Sequence, residues 1–381
     1  MKITFIVSIV LALATNPLSA QSLPDKNRGL TEKLDAIASD ALTADKIPGM
    51  SIAVSLNNKM IYSNAFGFAD LEHSVRCTPE TRFRTASIAK PITATAALKL
   101  AELGKLDLDA PIQKYCASFP KKKWDVTVRQ LLGHLGGIRH YNKPGESVGK
   151  NFHPTLIDSL KLFKDDPLLH QPGSKYSYST FGYSLLGCAI ETASGLSFED
   201  SLKTQVFDPA GMTSTHLDHA RYIIPNRSRG YMMMTPSIHK KVPNAIKNKF
   251  KVGKIYNAPL HDTSMKVPGG GLLSTSEDLI RFVIALNANK LLKQETREMM
   301  LTCQSLSNGT KTDYGLGWKL EQDNGGPLLI SHSGSQAGTS TFLVMIPKFK
   351  LVVAVMCNLE DISAKNIARS IGMAVIQHGR S

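Results

Sequence analysis

Ser87 and Lys90 stand three residues apart in Arg84-Thr-Ala-Ser-Ile-Ala-Lys-Pro-Ile-Thr93, at the mouth of a predicted helical run that continues to Gly104. On a helix, residues i and i+3 share a face, with Cβ atoms about 5–6 Å apart. A hydroxyl beside an amine at the electropositive end of a helix can become a nucleophile, because serine needs a base within reach of its proton. Lysine serves only if its pKa falls from about 10.4, and burial and the helix dipole both favour the neutral amine. Three other Ser-x-x-Lys pairs, Ser118-Lys121, Ser147-Lys150 and Ser237-Lys240, sit among proline, glycine or further lysines, with no apolar helix behind them. Pro91, near the helix start, is expected to delete one amide bond at modest cost.

Two further clusters follow in order: Gln171-Pro-Gly-Ser-Lys-Tyr-Ser-Tyr178-Ser179-Thr180, then Leu329-Ile-Ser-His332-Ser333-Gly334-Ser335. Ser-x-x-Lys, a tyrosine motif and a His-x-Gly motif in this order resemble the penicillin-recognising serine hydrolases: class C type β-lactamases, DD-peptidases and related esterases. Leu131-Leu-Gly-His-Leu-Gly-Gly-Ile138, Asp208-Pro-Ala-Gly-Met212 and Gly269-Gly-Gly-Leu-Leu-Ser-Thr-Ser-Glu-Asp278 resemble further segments of that family. The likeness runs from about residue 30 to about 375. The variants around His134 and in the second and third clusters are most similar to the mitochondrial serine β-lactamase-like protease group.

The resemblance implies an acyl-enzyme through Ser87, with Lys90 and Tyr178 as the proton-transfer groups. Which of the two takes the serine proton stays open; a phenol acts as base only if a cation such as Lys90 lowers its pKa. Thr180, His332, Ser333, Gly334 and Ser335 are the expected substrate-binding residues. The amides of Ser87 and Ser335 form the expected oxyanion hole, and Gly334 is there so that backbone can approach the substrate. Thr180 stands where the family usually has asparagine, and His332 where it usually has lysine. With an ordinary pKa, His332 would be only about 10% charged at pH 7.5, so binding of anionic substrates should weaken and strengthen again toward pH 6. Both departures point from β-lactams toward peptide or ester substrates. A true β-lactamase or DD-peptidase, and a non-catalytic scaffold or polymer-forming protein that keeps the fold, are the alternatives.

The elements that must position these groups follow from periodicity. Residues 31–46 carry Leu and Ala at helical spacing. Residues 51–56 and 60–62 read as a hairpin about Asn57-Asn58, and 328–331, 341–345 and 351–356 as three more strands. Residues 361–378 form a closing helix with Ile362, Ile367, Ile371 and Val375 on one stripe. Thr127–Gln130 and Ser274–Glu277 read as capping boxes. The fold class is therefore mixed α/β (α+β): one antiparallel sheet flanked by helices, with an inserted helical lobe. Residues 21–381 read as a single domain, its sheet lobe about 21–91 and 276–381 and its helical lobe about 92–275, with the cleft between them.

The first twenty residues, Lys2, an apolar run and Leu-Ser-Ala20, have the form of a cleavable secretory signal, too short to span a membrane, so a secreted or periplasmic protein is expected. The whole chain carries a formal charge of +14. Cys77, Cys116, Cys188, Cys303 and Cys357 contain no Cys-x-x-Cys pair, Cys188 and Cys357 lie in apolar runs, and at most one disulfide is expected, unplaced. His216-Leu-Asp-His219 lacks a third ligand cluster, so no metal is expected, and no cofactor. Residues 239–254 hold six lysines and no acid. They form a solvated face able to touch anionic surfaces weakly. A small-molecule or peptide substrate is expected and nucleic acid is not. The oligomeric state is not legible.

Overall fold

The computed structural model describes residues 28–379 apart from 144, 150, 323 and 324, so the signal segment expected at residues 1–20 lies outside the described residues. Five long helices frame the molecule: Arg28–Ala44 (α1), Ala89–Glu102 (α2), Thr180–Ser194 (α3), Ser276–Asn287 (α4) and Ala364–His378 (α5). The main sheet has Gly49–Leu56 (β1), Lys59–Asp70 (β2), Val75–Arg76 (β3), Lys319–Gln322 (β4), Leu328–Gln336 (β5), Thr339–Ile346 (β6) and Leu351–Cys357 (β7). Its strand order is β3-β2-β1-β7-β6-β5-β4, antiparallel throughout. The two ends of the chain meet at its centre, where Ile52 faces Val355 and Val54 faces Val353.

Asn57 and Asn58 both adopt positive φ, 53° and 59°, as a two-residue hairpin of type I′ demands; asparagine tolerates this better than other residues with a Cβ. Strand alternation divides the sheet between two cores. Met50, Ile52, Val54, Val353 and Val355 pack with Leu30, Leu34 and Ala38 of α1 and Ile367, Ile371 and Val375 of α5. Ala53, Leu343, Met345, Ala354 and Met356 belong to the opposite core, shared with α2, α3 and α4. A buried hydroxyl pair, Ser51 Oγ to Ser276 Oγ at 2.7 Å, joins β1 to the first residue of α4.

Several local expectations shift. The closing helix starts at Ala364, so Ile362 precedes it. The Thr127–Gln130 capping box is complete, but α4 is capped by Thr275, which accepts the Asp278 amide, while Ser274 pairs with Thr215 at 2.8 Å. The middle of the chain also holds a three-stranded sheet of Phe83–Arg84, Leu272–Ser274 and His216–Leu217, and a hairpin of Tyr231–Met233 with Ile255–Asn257. Strands of two or three residues have no alternation long enough to register in sequence. All five cysteines are free thiols, four of them buried. Among the described residues no helix is long and apolar enough to cross a membrane.

Trp318 is fully buried and stacks on Phe282, with centroids 6.3 Å apart and planes within 7°. Trp318→Ala should cost about 3–5 kcal/mol by cavity formation. Denaturant unfolding that shows less than about 1 kcal/mol would mean that this core is not packed as described.

Candidate active site

Ser87 lies in a 3-10 turn, Ala86–Ile88, directly before α2. It is not the helix N-cap: Ile88 holds that position without a side-chain bond, which leaves the Ser87 hydroxyl free of capping duty. Ala86 adopts φ 47°, a left-handed conformation that costs a residue with a Cβ about 1–2 kcal/mol. The sheet holds this strained segment down. Thr341 Oγ1 donates to the Thr85 carbonyl at 2.9 Å, and Thr339 Oγ1 to that of Arg84 at 3.2 Å. Pro91 is the third residue of α2, where amides have no intrahelical acceptor, so the expected loss of a helix bond does not arise.

Lys90 is completely buried. Its Nζ lies 3.1 Å from Ser87 Oγ, 3.2 Å from Thr180 Oγ1 and 2.6 Å from the Gly269 carbonyl oxygen. None of these is an acid. Burial, and secondarily the charge of Lys266, holds the amine well below the usual lysine range. A neutral amine has two N–H donors and one lone pair. The Gly269 carbonyl can only accept, Thr180 Oγ1 takes the second donor, and the lone pair is left facing the Ser87 hydroxyl. This stoichiometry suits a base for Ser87.

Tyr178 is hydrogen-bonded to Ser87, and its ring centroid is 4.8 Å from Lys90 Nζ. Burial pushes its phenol above the ordinary value, opposed by the bond to Ser87. Lowering by Lys90, the condition for Tyr178 to act as base, does not offset this burial. Tyr178 stands beside Ser87 as a phenol that burial keeps protonated. Its ring packs on His134 at 4.3 Å between centroids, and Tyr176, Tyr183 and Tyr314 also contact His134.

The start of α3 is secured by side chains from the segment after residue 133. His134 Nδ1 accepts the Ser179 amide and His140 Nδ1 that of Thr180, both at 3.2 Å. Burial, then the nearby lysines, depresses His140 to about 4 and keeps His134 neutral as well. Thr180, expected as a substrate contact, is 3% exposed, and its hydroxyl lies 3.2 Å from Lys90 Nζ.

His332 also departs from expectation. Its Nδ1 donates to the Ser333 carbonyl at 2.7 Å, because that oxygen can only accept, and Nε2 then accepts the Tyr314 hydroxyl at 2.9 Å. Burial above all lowers its pKa to about 3. Neither nitrogen is available to a substrate carboxylate, and the expected gain of charge between pH 8 and 6 does not occur. Gly334 is also required by packing. A Cβ there would strike the Thr85 carbonyl and Thr341 Oγ1, so the close approach is between β5 and the nucleophile's own segment.

Ser333 and Ser335 are exposed on β5. β4 pairs with β5 only from Leu328 to Ser331, leaving that edge open from His332 onward. Leu320 gives its amide to Asp313 and so faces away from β5, which makes Ser331 with Lys319 the hydrogen-bonded pair. By the two-residue period, Ser333 and Ser335 aim their N–H groups at the same open edge.

His134, His140, Tyr141, Lys266, Gly269 and Tyr314 complete the surroundings without having been singled out for chemistry. Gly269 acts through its carbonyl, and a backbone atom leaves no mark in residue type. His216 and His219 share no metal-like cluster among the described residues; Asp218 between them accepts Arg84 Nε at 2.7 Å, and His219 faces Glu199 at 3.5 Å. Half-buried Asp70 and exposed Glu72 and His73 form a further cluster, with His73 already bonded to Asp70 at 2.9 Å.

Two outcomes follow. The His332 imidazole should keep the nitrogen shifts of a neutral Nδ1–H ring from pH 8 to about pH 5, whereas an unperturbed ring would titrate near 6.5; a midpoint there contradicts the burial described. Gly334→Ala should lose about 1–3 kcal/mol by overpacking, together with any reactivity of Ser87, measured by thermal unfolding and probe labelling.

Comparison with known proteins places this geometry. A family profile described as Beta-lactamase matches residues 34–375. Serine beta-lactamase-like protein LACTB, mitochondrial, from Bos taurus is 30% identical over 437 aligned positions, covering 86% of this chain and 76% of that protein. Among solved structures, the octameric penicillin-binding protein homologue from Pyrococcus abyssi is 26% identical with a TM-score of 0.74, covering 91% of this chain and 77% of that one. D-amino acid amidase from Ochrobactrum anthropi SV3, at 22% identity, shares the fold with a TM-score of 0.78, covering 93% and 100% of the two chains. This chain belongs to the beta-lactamase family of serine hydrolases.

Proposed function

We propose that the protein cleaves a peptide, amide or ester bond through an acyl-enzyme on Ser87. The observation that carries this reading is the buried Lys90 amine, 3.1 Å from Ser87 Oγ with no carboxylate beside it. Burying an unpaired lysine is costly, and a protein keeping the fold only as a scaffold gains nothing from it.

In the proposed sequence, Ser87 Oγ attacks the acyl carbon as its proton passes to the Lys90 lone pair. The developing oxyanion lies against the Ser87 and Ser335 amides, each worth about 2.7–4 kcal/mol in such sites. Tyr178 hands a proton to the leaving nitrogen or oxygen, and the proton on Lys90 replaces it. Water then attacks the ester, and the acid and Ser87 are regenerated. Residues 21–381 act as one domain in this reading. Ser87 and Ser335 lie in the sheet lobe taken as 21–91 and 276–381, Tyr178 and Thr180 in the segment 92–275.

The neutral, doubly bonded His332 leaves the third motif without a cation for a substrate carboxylate. That favours peptides, amides and esters over penicillin-like anions, with DD-peptidase or β-lactamase turnover as the second reading. The form of residues 1–20 supports export, and the exposed lysines of 239–254 support weak contact with anionic surfaces.

A fluorophosphonate probe should label the wild type, and Ser87→Ala should abolish labelling. Lys90→Ala should slow it by about 10²–10⁴, the usual contribution of a positioned base. Undiminished labelling of Ser87→Ala would sink the proposal. Turnover of nitrocefin exceeding that of simple amides and esters would promote the second reading.

A further inference from the structure

Lys266 is a buried cation that the mechanism above does not use. It is 3% exposed, on the one-turn segment Ser264–Lys266 that leads into Val267–Gly270. Its ammonium donates to the Ser147 carbonyl at 2.7 Å and lies 5.7 Å from the Tyr141 ring centroid. Tyr141 is hydrogen-bonded to Thr180, the residue that accepts from Lys90. Three residues beyond Lys266, Gly269 supplies the carbonyl that holds Lys90, and Pro268 supplies one that accepts Thr93 Oγ1 at 2.6 Å. The segment carrying Lys266 therefore grips α2 on either side of Pro91.

The nearby acids are committed elsewhere. Glu146 takes both terminal nitrogens of Arg139 at 2.9 Å, and Asp218 takes Arg84 at 2.7 Å. Among the described residues, the charged and titratable groups facing Lys266 are Arg84 and Asp218, with His140, Tyr141 and His261 around it. Those facing Lys90 are Tyr178, Tyr183, His134, His140, His332 and Lys266. The three imidazoles are held neutral, and the two tyrosines are phenols. Among the described residues, Lys266 is thus the member of this set able to bring Lys90 a positive charge at neutral pH.

We infer that Lys266 is a positioning residue for catalysis, a second cation behind the site whose charge reserves Lys90 as the proton acceptor for Ser87. The inference rests on the acyl-enzyme reading above. It also has a timing that burial alone lacks. Lys266 itself is brought down to about 8, by burial first and then Arg84, with Asp218 opposing. As pH falls through about 8, Lys266 becomes charged, and that charge opposes protonation of Lys90 across the neutral range. The base is protected in the conditions where it would otherwise begin to be lost.

The test is the rate of fluorophosphonate labelling from pH 5.5 to 9.5 for the wild type, Lys266→Met and Lys266→Arg. Near pH 9.5 Lys266 is largely neutral, and the Met variant should match the wild type within about twofold. At pH 6.5 it should be roughly five- to tenfold slower, because loss of a nearby charge in a poorly screened site moves the acid limb upward. Lys266→Arg should keep the wild-type acid limb. A residue that merely pinned Ser147 would slow labelling equally at all pH values, and such parallel profiles, or an unmoved limb, overturn the inference. If thermal unfolding shows the Met variant unfolded, the Arg variant decides: an acid limb displaced upward despite the retained charge overturns it. A wild type that no probe labels removes the acyl-enzyme reading and this inference together. Labelling that depends on Ser87 but shows parallel profiles removes this inference alone.

Discussion

The structure depends on a lysine kept in the interior without a counter-ion. Lys90 draws its three polar neighbours from segments far apart in sequence: Ser87 in its own turn, Thr180 at the head of α3 and the Gly269 carbonyl before α4. A carboxylate in any of these places would fix the ammonium and abolish the base. Two oxygens that can accept, and one hydroxyl that can donate, match the valence of the neutral amine. The lowered pKa of the amine therefore goes with the absence of an acid among its partners as well as with burial.

The same economy governs the wider shell. His134, His140 and His332 surround the amine, yet each spends a ring nitrogen on a backbone group: the amides of Ser179 and Thr180, and the carbonyl of Ser333. Each then serves as a neutral strut, with Tyr178 packed against His134. An electroneutral aromatic lining lowers the local dielectric, which strengthens the remaining polar contacts. The sheet supplies the rigidity. Thr339 and Thr341 on β6 hold the carbonyls of Arg84 and Thr85, and the bare Cα of Gly334 lets β5 lie close to the same segment. Strain at Ala86 persists because two elements hold it in place.

Much of this architecture was legible in the sequence because it rests on long periodic runs. The strands at 351–357 and 339–346, the Asn57-Asn58 hairpin and the apolar stripe of α5 all bury enough alternating or helical surface to announce themselves. The two-residue strands at 83–84 and 216–217 carried no such signal, and the N-cap of α4 moved by one residue because Ser274 and Thr275 are chemically equivalent as caps.

By itself, the sequence determined which groups could react: an alcohol and an amine at helical spacing, a phenol in a later motif, and a glycine between two serines on a strand. Those are properties of residue type and local period, which the chain carries wherever it folds. Protonation was decided only by tertiary structure. His332 looked like a switch near pH 6.5 and is held by burial as a neutral strut, Tyr178 looked like a candidate base and has its phenol pushed above the ordinary value, and Lys266 had no visible role. Charge state depends on desolvation and on charges brought near by packing, and neither is encoded at the residue that titrates.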